Sequence, residues 1–362
     1  MISRERLKFV NNPVMRPLVM RCGAFGDMVL LTALLRQLHA RFGSPVDVVS
    51  SGAWTAPLLE GQPGVGELFI IGSRKSPFWL SPRQRALVRW LRARGAGPTW
   101  YCDSGAGREL LRRGGIPDAY VCDARAFPGM PGEHFVDRWI RIAQLTPAAF
   151  EGRLPAAEVI VPNGAAIQIE AAARTALDAW LARRGLAGRP LILIQAGNKR
   201  TMRPGSRRRA SNTKYWPEER WGTVIRALRA ERPDHAIVLL GSPEEYALNT
   251  EIARLSQAND VHNVADDLPI AVLLPLLERA TSIVSVDTGP AHAAAALGCP
   301  TVALFGASDP LLYRPGGAHT PALVLTGQID GQPNMLGIEP ETVINAWRQM
   351  AHPAVSQAAR WR

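Results

Sequence analysis

Two glycines and a carboxylate fall together in the segment RCGAFGD, residues 21–27, between an apolar stretch and a stretch of helical periodicity. Gly23 and Gly26 would let backbone N–H groups approach a ligand closely, although their spacing is not that of a dinucleotide-binding G-x-G-x-x-G turn. Asp27 stands where a carboxylate caps a helix N-terminus. The same carboxylate could accept a proton from an attacking hydroxyl. The segment alone leaves both roles open.

A second acidic residue, Asp287, closes the apolar stretch SIVSV and precedes the sequence TGPAHAAAALG. A helix that begins at residues 288–290 would direct its first N–H groups and the positive end of its dipole towards an anion. The alanines would allow this helix to pack closely on a sheet. His292 is therefore either a structural polar group in that packing or, three residues after Gly289, an anion ligand.

Two further segments follow predicted strands. In GSPEEYA, residues 241–247, glutamates favour a helix start, and a carboxylate in such a turn also commonly binds ribose hydroxyls. The other segment, residues 197–217, has no acidic residue. Its basic residues are Lys199, Arg200, Arg203, Arg207, Arg208, Arg209 and Lys214. Such a run is typical of a solvated or disordered loop, but directly after a strand it suits a phosphate or carboxylate ligand.

The elements that must position these segments are strands alternating with helices. Strands are predicted at residues 17–20, 46–50, 68–72, 99–103, 191–197, 236–241, 261–264, 282–286 and 301–306. Helices are predicted between them, notably at residues 81–94, 165–185, 216–232, 243–257 and 270–280. This alternation predicts parallel sheets, in which ligands bind at the carboxyl ends of the strands. The pattern restarts after a connection at residues 151–164, which indicates two α/β halves facing a cleft.

We therefore expect an N-terminal domain over residues 1–160 and a C-terminal domain over residues 161–340. The segment PETVINAWRQMAHP predicts a last helix, and residues 341–362 are expected to pack back on the N-terminal domain. The length of 362 residues suits two domains.

The composition, with 47% apolar and 20% charged residues, is that of an ordinary soluble globular protein. No stretch is long and apolar enough for a membrane span or a secretory signal, and four scattered cysteines form no C-x-x-C pair. We expect a cytoplasmic protein. The net charge of +11 favours an anionic partner, unless it reflects a generally arginine-rich proteome. No helix-turn-helix, RNA-binding or zinc pattern is present, so we expect no nucleic-acid partner.

The segment SVDTGPAHAAAALGCPTVALFGASDP resembles the signature of glycosyltransferase family 9, the lipopolysaccharide heptosyltransferases. RCGAFGDMVLLTALLRQL resembles the N-terminal turn and helix of that family, and TKYWPEERWGTVI resembles its Lys-x-Trp-Pro segment. The three motifs occur in the family's order, and the chain from about residue 17 to residue 350 is compatible with the family.

This resemblance implies a GT-B fold, in which two Rossmann-like domains face a central cleft. The N-terminal domain would take the acceptor and the C-terminal domain a nucleotide sugar, typically ADP-L-glycero-β-D-manno-heptose. Transfer would invert the anomeric centre without a metal ion and without a further cofactor. We expect the acceptor to be an anionic lipid-linked saccharide such as the lipopolysaccharide core, and the enzyme to associate with the inner face of the inner membrane.

The resemblance also implies roles for individual residues. Asp27 matches the family's general base. On the donor side, Lys214 would contact the phosphates, Glu245 the ribose, Leu268 the adenine and Asp287 the sugar hydroxyls, while the diphosphate segment comprises Thr288, Gly289 and His292. On the acceptor side we expect Arg21, Gly26, Arg207, Arg208 and Arg209.

Three alternatives stay open at this point. The chain could be a GT-B transferase that uses another nucleotide sugar or another acceptor. It could be an inactive protein that only binds a nucleotide sugar. The basic segment of residues 198–213, longer than the family pattern, could hold a phosphorylated or carboxylated acceptor or bind anionic lipid headgroups.

Overall fold

The computed structural model describes residues 15–72, 76–105, 107–156, 158–159, 163–198, 213–318 and 322–351. The predicted acceptor contacts Arg207, Arg208 and Arg209 lie outside these residues.

The first half of the chain forms a parallel sheet of five strands with helices between them. Its strands are β1 (Leu18–Met20), β2 (Val46–Ser51), β3 (Val65–Ile71), β4 (Thr99–Tyr101) and β5 (Val121–Asp123). Its helices are α1 (Phe25–Phe42), α2 (Thr55–Leu59), α3 (Pro82–Arg94), α4 (Gly107–Arg113) and α5 (Phe135–Ala143). In the sheet the strands lie in the order β3-β2-β1-β4-β5, so the direction of strand addition reverses beside β1.

The second half repeats this plan with six parallel strands. They are β6 (Leu191–Gln195), β7 (Ala236–Leu239), β8 (Val261–Asn263), β9 (Ser282–Val286), β10 (Thr301–Phe305) and β11 (Ala322–Thr326). The helices are α6 (Ala171–Arg183), α7 (Glu218–Glu231), α8 (Tyr246–Ser256), α9 (Ile270–Arg279), α10 (Gly289–Ala296), α11 (Pro310–Tyr313) and α12 (Pro340–Ala351). A small antiparallel hairpin consists of β12 (Gln328–Ile329) and β13 (Gln332–Pro333).

Both sheets have the strand order of a Rossmann fold. The second sheet runs β11-β10-β9-β6-β7-β8, which is the complete six-stranded order, and the first sheet has the same order with five strands. The central strands are buried on both faces, which explains why their sequences, LILIQ in β6 and SIVSV in β9, are largely apolar and do not alternate with charged residues. Ligands bind in such sheets beside the reversal of strand order. That point lies between β1 and β4 in the first sheet and between β6 and β9 in the second.

Helix α1 joins the two halves. Ten of its residues are buried, spread around the helix, because it packs against the first sheet, α5 and the second-half helix α10. The connection between the halves lies along it: the Arg36 guanidinium donates to the Gly164 carbonyl at 2.9 Å, and the Thr32 hydroxyl accepts from the Ala166 N–H at 3.2 Å. Gln62 makes two hydrogen bonds with the backbone of Gln168, at 2.7 and 2.8 Å.

The prediction that the last helix packs on the N-terminal domain is wrong for the described part of that helix. Helix α12 packs against α7 and strands β9, β10 and β11, all of the second half. Val343, Ile344 and Trp347 form its buried stripe, and the Trp347 indole N–H donates to the Ser282 hydroxyl at 2.9 Å. This stripe packs over β9 and β10, so the apolar face of α12 is buried against the second half. Residues 352–362 lie outside the described chain.

Candidate active site

A cavity of about 270 Å³ lies between the two halves at the carboxyl ends of their central strands. It is lined by Ala24, Gly26, Asp27, Leu30, Lys214, Asp287, Thr288, Gly289, His292, Ser308 and Tyr313. Seven of the residues predicted from the sequence therefore meet in one place, although they come from motifs up to 266 positions apart in the chain (26 to 292). Their individual roles in binding and catalysis remain predictions.

On the first half, Asp27 lies in the first turn of α1. Its Oδ2 accepts the Ala24 N–H at 3.0 Å, so it does cap the helix, and its side chain keeps 39% of its surface exposed. Arg21 lies beside it, with Nη2 at 3.6 Å from Asp27 Oδ2. The guanidinium of Arg21 also donates to the Cys102 carbonyl at 2.8 Å. This bond joins the ends of β1 and β4, where the strand order reverses.

On the other half, Lys214 is positioned by the residues that follow it. Trp216 is almost completely buried against Trp221, and its indole N–H donates to the Ile338 carbonyl at 3.0 Å. Pro217 then occupies the N-cap position of α7. The amide of Asn198 donates to the Lys214 carbonyl at 3.2 Å, which holds this residue at the end of β6. The motif therefore combines a fixed tryptophan with a cation at the cavity wall.

Lys214 and Asp287 form an ion pair inside the cavity. The ammonium Nζ lies 2.6 Å from Asp287 Oδ2 and also donates to the Asp287 carbonyl at 3.0 Å. His292 Nε2 lies 3.7 Å from the other carboxylate oxygen. Burial alone would raise the pKa of Asp287, but His292 and the charge of Lys214 outweigh it and lower the pKa to about 2. Asp287 is thus a carboxylate at every ordinary pH.

Two glycines allow the halves to approach each other beside this ion pair. A Cβ on Gly26 would lie 2.7 Å from His292 Cδ2, and a Cβ on Gly289 would collide with the Phe25 ring. Helices α1 and α10 therefore cross at contact distance through residues without side chains. His292 is 6% exposed, and its Nδ1 is buried with no hydrogen-bond partner among the described residues.

Glu245 lies two strands away from Asp287 along the same sheet edge. Its Oε2 accepts the Ser242 N–H at 2.8 Å, whereas Oε1 is buried and has no hydrogen-bond partner within the described chain. Burial raises the pKa of this carboxyl group. A side chain at Gly197 would collide with Oε1. Leu268 is half-buried and follows β8, the next strand along this edge of the sheet. Neither Glu245 nor Leu268 lines the cavity around Lys214.

No sequence motif marks the contacts that join the two halves beside the cavity, which Tyr313 lines. The ring of Tyr313 stacks on that of Phe135 from the other half, with centroids 5.0 Å apart. The buried His134 accepts the Val136 N–H at Nδ1 and donates from Nε2 to the Arg314 carbonyl at 2.8 Å. Burial lowers the pKa of His134, which favours this neutral form. These residues belong to no charged or glycine-rich motif, so only their position in space identifies them.

Neither a membrane-spanning helix nor a metal site is found among the described residues. None of their helices is long and apolar enough to cross a membrane. No group of three or more His, Cys, Asp or Glu side chains in this part of the protein has the arrangement of a metal site.

Comparison with known proteins places these features in a family. Lipopolysaccharide heptosyltransferase 2 of Salmonella typhimurium is 25% identical over 315 residues, which cover 82% of this chain and 84% of that protein. Lipopolysaccharide heptosyltransferase 3 of Escherichia coli is 35% identical over 104 residues, and this match spans only 28% of this chain and 30% of that protein.

A solved structure shows the same fold. The E. coli ADP-heptose lps heptosyltransferase II structure superposes with a TM-score of 0.68 at 22% identity, over 94% of this chain and 99% of that one. The predicted GT-B arrangement of two Rossmann-like domains is thereby confirmed. The family model described as glycosyltransferase family 9 (heptosyltransferase) matches residues 118–333, more than half of the chain. The chain therefore belongs to glycosyltransferase family 9, and it is a heptosyltransferase-like glycosyltransferase.

Proposed function

We propose that this enzyme transfers a heptose from an ADP-sugar to the saccharide core of lipopolysaccharide, with inversion at the anomeric carbon and without a metal ion. The observation that carries the proposal is the cavity in which Asp27 of one half faces Lys214, Asp287 and the start of α10 from the other. A base on one wall and cationic groups on the other are what a displacement at an anomeric carbon requires.

The nucleotide would lie along the edge of the second sheet. The ends of β9, β6, β7 and β8 are neighbours in that order, and three strand spacings cover about 14 Å. The diphosphate would sit at Lys214 and the first N–H groups of α10, where charge and helix dipole attract an anion. The free oxygen of Glu245 would accept ribose hydroxyls, and Leu268 would contact the base.

The reaction follows from this placement. The acceptor hydroxyl gives its proton to Asp27 while its oxygen forms a bond to the anomeric carbon. The bond between that carbon and the phosphate oxygen breaks, and ADP leaves with the electron pair. Lys214 and the α10 N–H groups stabilise the growing negative charge of the diphosphate. Asp287, a carboxylate held by Lys214, would accept hydroxyls of the sugar. Because attack and departure occur on opposite sides of the carbon, the anomeric configuration inverts.

The acceptor would be bound by the first half. Arg21, fixed beside Asp27, supplies a cation for an anionic saccharide, and Gly26, which lines the cavity, would contact the acceptor. Because of their positive charge, we expect the arginines at 207–209 to contact the anionic acceptor as well. An acceptor attached to lipid would bring the enzyme to the inner face of the inner membrane.

The proposal is tested with Asp27→Asn. Asparagine keeps a side-chain oxygen for the Ala24 N–H, so folding and ADP binding should be unchanged, while kcat should fall by about 10²–10⁴-fold. Asp309→Asn is a matched control, because Asp309 also caps a helix start, at the Leu311 N–H, but does not line the cavity. Full turnover by Asp27→Asn would remove Asp27 as the base.

Donor and metal use are tested separately. ADP should raise Tm, since a ligand at 100 times its Kd stabilises by about 2.7 kcal/mol, whereas UDP and GDP should have little effect. Transfer from ADP-heptose to core saccharide should continue in EDTA, and NMR of the product should show the inverted anomer. Activity that returns only with a divalent ion, or a retained anomeric configuration, would contradict the mechanism.

A further inference from the structure

A tryptophan and a leucine are exposed on the first half, away from the cavity. Trp79 is 70% exposed and Leu80 57%, in a short turn of 3₁₀-helix at Phe78–Leu80 that joins β3 to α3. Adjacent large apolar side chains with this exposure mark an interaction surface. Tryptophan in particular is enriched where proteins meet the headgroup region of a membrane, because its ring is apolar and its N–H can remain hydrated.

The turn is held rigidly with these two side chains outward. The ring of Phe78 lies under the guanidinium of Arg113, with 4.7 Å between the charge and the ring centroid. Arg85 donates a hydrogen bond to the Trp79 carbonyl. The Ser81 hydroxyl accepts the Gln84 N–H at 3.3 Å and caps α3. Trp79 and Leu80 are thus presented to solvent by a fixed backbone.

The helix that follows surrounds this pair with positive charge. Arg85, Arg89 and Arg92 are spaced i, i+4 and i+7, so they lie on one face of α3, and Arg83 is exposed at its start. The whole stretch from residue 76 to residue 98 contains no acidic residue.

Two acidic side chains of neighbouring elements form ion pairs with other arginines. Glu109 pairs with Arg113 at 2.9 Å and Glu67 with Arg16 at 3.3 Å, and Glu67 also accepts the Trp90 indole N–H at 2.7 Å. The exposed face of α3 therefore keeps its positive charge. Apolar side chains flanked by arginines complement a bilayer that contains anionic lipids.

The position of this surface fits a lipid-anchored substrate. The turn follows the carboxyl end of β3, and α3 runs back from there to β4. Trp79 and Leu80 therefore lie at the edge of the first sheet that also carries Asp27. A membrane that contacts this edge would hold the lipid of an acceptor close to the mouth of the cavity.

We propose that Trp79, Leu80 and the arginines at 83, 85, 89 and 92 form a docking surface for anionic phospholipid bilayers. The reason for docking rests on the proposed transfer to a lipid-linked acceptor, but the binding itself requires neither sugar nor nucleotide. The surface is distinct from the basic segment at 198–213.

The test is flotation of the full-length protein with vesicles of phosphatidylglycerol in phosphatidylcholine, or of phosphatidylcholine alone, in the absence of saccharide. Binding should require phosphatidylglycerol and weaken with salt. Trp79→Ser/Leu80→Ser should reduce binding at least tenfold. Arg83→Gln/Arg89→Gln should reduce it about fivefold for each arginine removed. The matched controls are Ile329→Ser and Arg254→Gln, both exposed and on the second half.

These experiments distinguish a failure of the docking surface from a failure of the proposed transferase function. Transfer to a delipidated, water-soluble core saccharide should be unchanged in both surface variants. Binding that does not depend on anionic lipid, or that the controls reduce as much as the surface variants, would overturn the docking surface and leave the transferase proposal intact. Normal vesicle binding with no heptosyl transfer would refute the proposed function and leave the docking surface intact.

Discussion

The contact between Gly26 and His292 allows a sharp test of how the two halves form one site. In Gly26→Ala the new Cβ would lie 2.7 Å from His292 Cδ2, whereas ordinary contacts begin at 3.4 Å, so the buried His292 ring or the helix that carries it must shift by about 0.7 Å. Overpacking of this kind costs about 1–3 kcal/mol, offset by up to about 1 kcal/mol from the better helix propensity of alanine. We expect Tm to fall by a few degrees.

The effect on catalysis should exceed the effect on stability. A misplacement of about 1 Å costs about 10²-fold in rate, so kcat/KM of Gly26→Ala should fall about 10- to 100-fold. Gly72→Ala is the matched control, because a Cβ there meets no atom of the described residues within 4 Å. Steady-state kinetics with ADP-heptose and core saccharide measure the rates, and calorimetry measures Tm.

The same substitution in the His292→Ala protein tests whether the collision with His292 causes these effects. When His292 is replaced by alanine, the next atom near the new Cβ is Gly289 Cα at 3.5 Å, an ordinary distance. Gly26→Ala should then cost no stability in the His292→Ala protein. An equal fall in Tm in both backgrounds would refute the proposed collision, as would wild-type kinetics of Gly26→Ala.

Three further predictions concern Glu245, Lys214 and Tyr313. Glu245→Gln should weaken ADP binding about 10- to 100-fold in calorimetric titration, since hydrogen bonds to charged groups contribute about 1.5–3 kcal/mol; unchanged affinity would remove Glu245 from the ribose site. Lys214→Met should weaken ADP binding and also remove stability that depends on pH. The pKa of Asp287 is lowered from 3.8 to about 2, so its ionisation stabilises the fold by about 2 kcal/mol above pH 4, and this is lost as pH falls towards 2. The stability deficit of Lys214→Met, measured by denaturant unfolding, should therefore shrink over that range, and a constant deficit would contradict the ion pair. Tyr313→Ala should raise KM for the acceptor more than Kd for ADP, because Tyr313 lines the cavity and stacks on Phe135 of the first half; the reverse pattern would place Tyr313 with the donor.

The strands with strong apolar sequences were predictable from the sequence. SIVSV at 282–286 and the strands at 46–51 and 301–305 lie where the pattern placed them, because each is buried on both faces and has no polar alternation to confuse the reading. Strand β5 has only three residues and β11 lies at a sheet edge with half-buried side chains. Neither was predicted: only one residue of β5, Val121, is β-branched, and β11 is half-buried along most of its length without an alternation of apolar and polar residues.

Contacts between distant residues account for the remaining differences. Residues 165–169 were predicted as part of a helix, but they are extended because Thr32, Gln62 and the backbone of Gly316 bind them. The last helix was predicted from the sequence PETVINAWRQMAHP, but that sequence does not state which half the helix covers.

Within the site, the meeting of Asp27, Lys214 and Asp287 was predictable because each motif follows the carboxyl end of a strand. The crossing of Gly26 with His292 was not, because it depends on how two separately folded sheets face each other. The same holds for the stacking of Phe135 on Tyr313.

The hydrogen bond from the Asn198 amide to the Lys214 carbonyl has a consequence for how this enzyme can change. It holds Asn198 and Lys214, which flank residues 199–213 in the sequence, next to each other beside the cavity, and Gly306, which has no side chain, leaves space for the Thr213 carbonyl. The sequence between these anchors can therefore lengthen, shorten or change charge while Lys214 stays in register with Asp287. Substrate range could then diversify through insertions at this junction, and chimeras that exchange residues 199–213 between relatives should retain ADP binding.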